Sequence, residues 1–375
     1  MLKHYPDIFT FVEAQKEAFN NPIVVHSDWE WNFKQHLKTS IFYLFGRLLT
    51  GNSDDKPIKN IIRRIIRFRY AAEDIDVKDV DIYVDDPDRF HLSFLVKKFH
   101  DDVFVDQAKL DKVFDQIKKE KINFGGCLVQ NDAGIPKKVP LSQIAFCDQS
   151  NLMASPFAIQ LNMTPQELKE MEKKGWGDKN NGATMTVDEL IAAMEYEKQR
   201  NDQFQKKVAT PGKYAEVFQV WGNLPAEFAG GEYGEHTLQM HYIAFIKGDK
   251  DNNIGISLFS KEDKRTDRFK FIKQDEGDGL ENRVLGYGGV EELFEAQVWT
   301  NYSMITKKDF LDSASKVFMK TNDPALAARH PNGLKNLENL ELIELEDGKD
   351  LSQVDTFPRN YQLFNNAVSE WEEYA

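Results

Sequence analysis

Around residue 213 the hydrophobic period of this chain changes from that of helices to that of strands, and the change restricts the fold to a mixed one. Upstream, Ile58, Ile61, Ile62, Ile65 and Ile66 form a helical stripe behind Pro57, a favourable first helical position. Capping boxes at Thr164-Pro165-Gln166-Glu167 and Thr186-Val187-Asp188-Glu189 open two further helices. Between 213 and 260 the pattern is β. Tyr214 to Trp221 reads as one strand, and Thr237 to Lys247 with Ile254 to Phe259 reads as a hairpin around Gly248-Asp249-Lys250-Asp251-Asn252-Asn253. Segregated helical and strand stretches imply an α+β class.

The flanking segments read as follows. Residues 1–56 form an aromatic N-terminal arm, with a helix around 30–50 that closes at Gly51-Asn52-Ser53-Asp54-Asp55. On the next helix Lys59, Arg63 and Arg67 make a second stripe. Like charges stacked at that spacing destabilise a helix unless anions lie close. Glu73, Asp74, Asp76, Asp79 and Asp81 follow directly and would neutralise it, a DNA-facing surface being the alternative. Short strands are expected at 80–84 and 92–96. A helix follows at 106–120 with Leu110, Val113, Phe114 and Ile117 on one face, then a strand over Phe124 to Val129, a turn at Asn131-Asp132-Ala133-Gly134 and an extended run to Phe146. The helix opened by Thr186 has an apolar face at Leu190, Ile191 and Met194, but from Glu197 to Lys207 it is polar apart from Phe204, which suits a helix that leaves the core or faces another subunit. The charged stretch Lys261 to Arg268 leads into a glycine-rich loop from Gln274 to Gly289, with helices beginning near Val290 and Thr306 and a helical or looped tail from 321.

Chemistry-bearing patterns are sparse. Asp249, Asp251 and Asn253 alternate like calcium ligands, but the glycine stands at Gly255 and Ser260 occupies the closing position, so a hairpin tip explains them better. Gly286-Tyr287-Gly288-Gly289 precedes a helix, yet no lysine follows and Glu291-Glu292 would repel phosphate. His236 and His241 lack metal-ligand spacing, and Cys127 and Cys147 stand in no zinc or nucleophile motif. No catalytic residue, metal or cofactor is expected. The net charge of −13 disfavours a surface that grips nucleic acid throughout, though not one that lets DNA slide past. Two cysteines, no apolar leader and no membrane-length apolar run suggest a protein of a reducing cytoplasm.

Beyond these readings, the stretch Gly286-Tyr287-Gly288-Gly289-Val290-Glu291-Glu292-Leu293-Phe294-Glu295-Ala296-Gln297-Val298-Trp299-Thr300-Asn301 resembles the segment after the clip in portal proteins of large tailed bacteriophages, including the crAss-like group. Ile75 to Val80, Phe124 to Val129, Met163 to Leu168 with Gly175-Trp176, and Val217 to Pro225 add to the likeness, which spans roughly 57–375. The resemblance implies a portal fold: an N-terminal arm (1–56), an α/β wing (57–160), descending stem helices (161–212), a β-rich clip (213–262), a glycine-rich loop with stem and return helices (263–320), and the start of a returning helical wing (321–375) without the crown, as in a C-terminally truncated fragment.

It further implies a non-enzymatic ring, expected to be dodecameric, at one capsid vertex of the virion and assembled in the host bacterial cytoplasm. Such a ring docks the large terminase subunit, meets capsid and neck adaptor proteins, and passes double-stranded DNA non-specifically. Paired stem helices would lie at 187–207 and 290–302, with Lys198, Arg200, Lys206, Lys207, Lys307 and Lys308 making brief phosphate contacts, or else serving as solvated helix charges. Gly286, Gly288, Gly289, Glu291, Gln297, Trp299 and Asn301 are the family-like motif residues. The alternatives are another phage neck or adaptor protein, which would lack a β-rich insertion between two helices, and a metal-dependent nucleic-acid enzyme using the carboxylates at 73–88.

Overall fold

The computed structural model describes residues 5–47, 57–72, 81–132, 134–193, 214–247, 253–274, 282–314, 318–322, 324, 345, 347–354, 366, 368–371 and 373. The fold is α+β and divides into two compact units, one of residues 1–41 with 66–292, the other of 42–65 with 293–375.

The first unit is built on an antiparallel sheet of five strands, in the order β5 (Ile144–Phe146), β6 (Phe157–Met163), β7 (Ala215–Pro225), β8 (His236–Lys247), β9 (Asn253–Glu262). Strand β7 is central because its sequence allows nothing else. Val217, Phe218, Gln219, Val220 and Trp221 are buried in succession, so both faces need cover. Val217 packs with Leu168, Trp176 and Leu258 on one side, while Phe218 and Val220 join the main core with Phe157 and Ile243. This corrects the expectation of a separate β-rich clip at 213–262. Those strands continue the sheet begun by β5 and β6, with Phe157 opposite Trp221 and Met163 opposite Ala215, and do not form a tip of their own.

A second antiparallel sheet has the order β10 (Phe269–Lys273), β3 (Gly126–Asp132), β4 (Ile135–Val139). Strand β10 falls where the charged stretch runs into the glycine-rich loop. It was illegible because Lys270 and Lys273 interrupt it, and it pairs with β3 across a long sequence gap, Phe271 opposite Leu128. Residues 5–41 are likewise no arm. Helix α1 (Ile8–Ala18), the hairpin β1 (Ile23–His26) with β2 (Trp29–Trp31), and the first turns of α2 (Phe33–Leu44) bury Val12, Phe19, Val25, Trp31, Phe33 and Leu37 in the main core.

Helix α3 (Ile61–Ala72) follows the isoleucine stripe, with Ile61, Ile62 and Ile66 buried and Arg63, Arg64 and Arg67 exposed. Residues 92–96, read as a strand, belong to helix α4 (Leu92–Phe99), which passes into a π-helical stretch (His100–Gln107); an apolar run this short does not distinguish the two periods. Residues 81–84 carry no regular structure. Helix α5 (Leu110–Phe124) ends on Gly125 at φ +81°. Helix α6 (Pro165–Glu172) has the capping box read from sequence, Thr164 with Glu167. Helix α7, described over 187–193, has the other: the Thr186 amide donates to Glu189 (2.9 Å) and the Glu189 amide to Thr186 Oγ1 (3.3 Å). The short helix α8 (Gly289–Glu292) closes the unit.

The second unit contains helix α9 (Phe294–Ala314), an antiparallel pair of β11 (Phe318–Thr321) with β12 (Leu351–Val354), and a helical turn at 368–371. No new helix begins at Thr306. Its hydroxyl donates back to the Tyr302 carbonyl (2.9 Å), a bond made inside a helix, and α9 runs through it unbroken. Strand β12 lies in the tail from 321 expected to be helical or looped, and β11 begins in the segment expected to continue as helix to Lys320. Among the described residues no helix is long and apolar enough to cross a membrane.

In the first unit the glycine loop at 286–288 lies backbone to backbone against the end of α5 and the residue after β10. A Cβ at Gly288 would lie 2.4 Å from the Asn123 carbonyl oxygen, and one at Gly286 2.0 Å from that of Gln274. Gly288→Ala therefore forces main chain apart, and a loss of about 1–3 kcal/mol is expected in the urea unfolding midpoint. The same substitution at Gly134, which has open space around it, carries no such contact and registers only the strain of its positive φ.

Candidate functional site

The motif segment begins with a buried charge. Arg283 is fully buried, and its guanidinium makes a bidentate pair with Glu291, Nη1 to Oε1 at 2.8 Å and Nη2 to Oε2 at 2.7 Å, while Nη2 also donates to the Gly286 carbonyl at 2.9 Å. The rings of Trp29, Trp31 and Tyr287 lie 5.5, 5.6 and 5.0 Å from the guanidinium carbon. Glu291 is thus held by Arg283 rather than left to repel an anion. His36 stands 3.9 Å from Glu291; burial holds its imidazole below the usual range, with Glu291 opposing the shift and Arg283 adding to it. The Gly286 amide is committed as well, since it and the Gln274 N–H both donate to the Gly125 carbonyl, at 2.9 and 3.0 Å. A Cβ at Gly289 would come 3.1 Å from Arg69 Nη1. These glycines serve close packing of main chain and neighbouring side chain, not a phosphate cradle.

In the second unit, α9 turns a polar stripe inward: Gln297, Thr300, Asn301 and Ser303 are buried with Leu293 and Ala296. Gln297 accounts for much of it. Its Oε1 accepts the amides of Ile61 (2.8 Å) and Ile62 (3.3 Å), and its Nε2 donates to the Lys59 carbonyl (2.7 Å) and to Asn301 Oδ1 (2.9 Å). One side chain therefore caps the start of α3, whose first amides have no partner within the helix. Phe294 packs edge-on against Tyr43 at 4.8 Å. Trp299 is half-exposed, 43%, and stacks on Trp371 at 5.9 Å with the rings 12° apart.

Of the expected phosphate contacts, Lys198, Arg200, Lys206 and Lys207 lie outside the described residues, as does the polar segment Glu197 to Lys207. Lys308 is exposed on α9 and pairs with Asp312 one turn on (3.7 Å), while Lys307 is half-buried. On α3, Arg63, Arg64 and Arg67 make no ion pair among the described residues. Of the anions expected to neutralise them, Glu73, Asp74, Asp76 and Asp79 lie outside that set and Asp81 is exposed. The hairpin-tip residues 248–252 also lie outside it. Asp86 caps a short 3-10 turn through its bond to the Asp88 amide (3.1 Å).

Two buried polar groups were not anticipated. His241 is wholly buried between Gln239 and Ser260, with Nε2 2.7 Å from Gln239 Oε1 and Nδ1 2.8 Å from Ser260 Oγ. Gln239 spends its amide N–H groups on the carbonyls of Leu224 and Pro225, so its oxygen faces the ring. That assigns a neutral imidazole protonated on Nε2 and accepting from Ser260 on Nδ1. Burial lowers its pKa to about 4. The alternation Gln239-Met240-His241 on one strand face was the available signal. Asp263 takes hydrogen bonds from Trp221 Nε1 (3.0 Å) and Arg268 Nη2 (3.0 Å); burial pushes its carboxyl up, but these bonds outweigh it and hold it below the usual range.

The first unit also has an open cleft of about 710 Å³ of mixed lining, with Met163, Met240, Tyr242 and Phe259 beside Asp132, Lys137 and Arg268. Burial raises the Tyr242 phenol to about 12 and the Cys127 thiol to about 12, and pushes Cys147 higher still, so none of the three ionises near neutrality. Among the described residues no group of three or more His, Cys, Asp or Glu side chains is placed to hold a metal ion. Comparison with protein-family models and with curated proteins gives no match.

Glu291→Gln leaves the Arg283 guanidinium buried without its counter-ion, and a loss of about 3–5 kcal/mol is expected by chemical denaturation, whereas replacing Arg283 and Glu291 together by methionine should cost less. His241 gives a pH dependence of definite sign. The unfolded imidazole takes up a proton near pH 6.5 that the folded one refuses until about 4, so its contribution is whole above 6.5, declines between 6.5 and about 4, and is exhausted below that. The total is about 3 kcal/mol, and a His241→Gln variant should flatten that part of the stability profile.

Proposed function

We propose that this chain is a portal subunit of a tailed bacteriophage, a non-enzymatic protein that forms a ring at one capsid vertex and lets double-stranded DNA pass without holding it. One observation carries the reading. In the second unit the chain runs along α9, turns through the pair β11–β12, and returns to a helical turn at 368–371 whose Trp371 lies flat on Trp299. Similar lengths of chain, 299 to 318 and 354 to 371, separate the stacked tryptophans from the β pair on either side. A β insertion lying between two helical segments that meet again beyond it is what a stem and clip require and what a neck adaptor lacks.

The reading therefore moves the stem to 294–314 with 368–371, and the clip to the β11–β12 pair. The five-stranded sheet becomes part of the wing. Under this reading Arg283 and Glu291 hold the glycine loop within the wing, and Gln297, in the first turns of the stem helix, caps the start of α3. The paired charges of Lys308 and Asp312 on α9, and the net charge of −13, suit a conduit that does not grip phosphate. The partners under this reading are further copies of the chain, expected as a dodecamer, the large terminase subunit at the clip, and capsid and neck adaptor proteins of the virion, with assembly in the host bacterial cytoplasm.

Negative-stain images of the purified full chain test the proposal. Annular particles with a central hole are expected; a preparation that stays monomeric at tens of micromolar would overturn it.

A further inference from the structure

One row across the five-stranded sheet sets polar groups among apolar ones. Ile159 of β6 stands opposite Gln219 of β7, Gln219 opposite Tyr242 of β8, and Tyr242 opposite Phe259 of β9. Residues directly opposite on neighbouring strands share a face, and all four line the open cleft of the first unit. Gln219 is 3% exposed and Tyr242 9%. The Gln219 amide makes one weak contact, Nε2 to Met240 Sδ at 3.7 Å. Among the described residues neither its oxygen nor the Tyr242 hydroxyl has a hydrogen-bond partner. The chain uses its other buried glutamines fully: Gln149 makes three side-chain hydrogen bonds, and Gln239 and Gln297 make four each. Gln219 is the exception, and a buried amide without partners is costly enough to need a reason.

We propose that this cleft binds an uncharged planar heterocycle bearing a donor beside an acceptor, the chemistry of a purine base. The Gln219 amide carries the complementary pair and can meet such an edge with two hydrogen bonds. Burial holds the Tyr242 phenol at about 12, so it stays protonated and can donate as well as accept. Met163, Met171 and Met240 line the same cleft, and their thioethers make favourable contacts with aromatic rings. The charges on the cleft argue against an anionic ligand. Lys138 pairs with Glu120 at 2.7 Å and Arg268 with Asp263 at 3.0 Å. The remaining cations, Lys137 and Lys174, stand among the carboxylates of Asp132, Glu167 and Glu170. A volume of about 710 Å³ is that of a small-molecule site. The inference concerns the first unit alone and is independent of the portal reading.

Saturation-transfer NMR titrations of the full chain test it, with adenine as the probe and indole as a two-ring control that has a donor and no acceptor. Gln219→Met and Tyr242→Phe remove the hydrogen-bonding groups at nearly constant volume. Because neither group is bonded within the fold, the urea midpoint should not fall in either variant, which separates a binding role from a structural one. Adenine should bind at least about fivefold more tightly than indole, and each variant should weaken adenine about tenfold while leaving indole unchanged. Inorganic phosphate should not displace adenine. The proposal is overturned by a wild type that gives adenine no saturation transfer at millimolar concentration, by displacement with phosphate, by adenine binding that survives both variants, or by an equal loss of both ligands. Should Gln219→Met fail to fold, Tyr242→Phe, which deletes a single oxygen, decides alone. Annular particles, present or absent, bear on the portal reading and leave this result as it stands.

Discussion

A guanidinium with no access to water sets the terms for the first unit. Removing Arg283 from solvent is affordable only because Glu291 meets it with two hydrogen bonds and three aromatic rings supply their faces. Trp29 and Trp31 come from the distant N-terminal hairpin, while Tyr287 of the glycine loop and Glu291 of α8 lie four and eight residues along the chain from Arg283. Satisfying one charge therefore orders three segments together, and the glycines at 286 and 288 let the loop's main chain sit against Asn123, Gly125 and Gln274 while it happens. Most of the motif that invited a ligand-binding reading is accounted for by this requirement.

The same economy recurs in the second unit through Gln297, which satisfies the first amides of α3 and bonds to Asn301 four residues along its own helix. A buried amide with every group used is a stronger constraint on register than apolar packing, because a shift of one residue would strand several polar atoms at once. The polar stripe of α9 is therefore a means of setting which way that helix turns. Its exposed side, with Trp299 stacked on Trp371, remains for the helix–β–helix arrangement on which the functional proposal rests.

Two elements place large apolar groups where a monomer gains little from them. Helix α4 exposes Phe94 and Phe99 while burying a serine, and α9 leaves Tyr302 61% exposed. By contrast β7, which the resemblance had assigned to a β-rich clip, is covered on both faces.

Local chemistry was legible wherever a few adjacent residues sufficed. The capping boxes at Thr164 and Thr186, the isoleucine stripe of α3, the hairpin of β8 and β9, and the α+β class follow from spacing that any neighbour-by-neighbour reading recovers, because each satisfies its own backbone or makes its own face within one element. Which elements became partners did not follow. That β10 would pair with β3, that residues 5–41 would join the core and that β7 would join β6 instead of leaving the body depend on contacts between residues far apart in the chain, and that Glu291 would be neutralised by Arg283, eight residues before it, depends on how the glycine loop folds between them. Sequence pattern specifies that a surface must be buried or a charge matched. Only the tertiary structure decides what does it, because pairing is a competition among all the faces the chain presents at once.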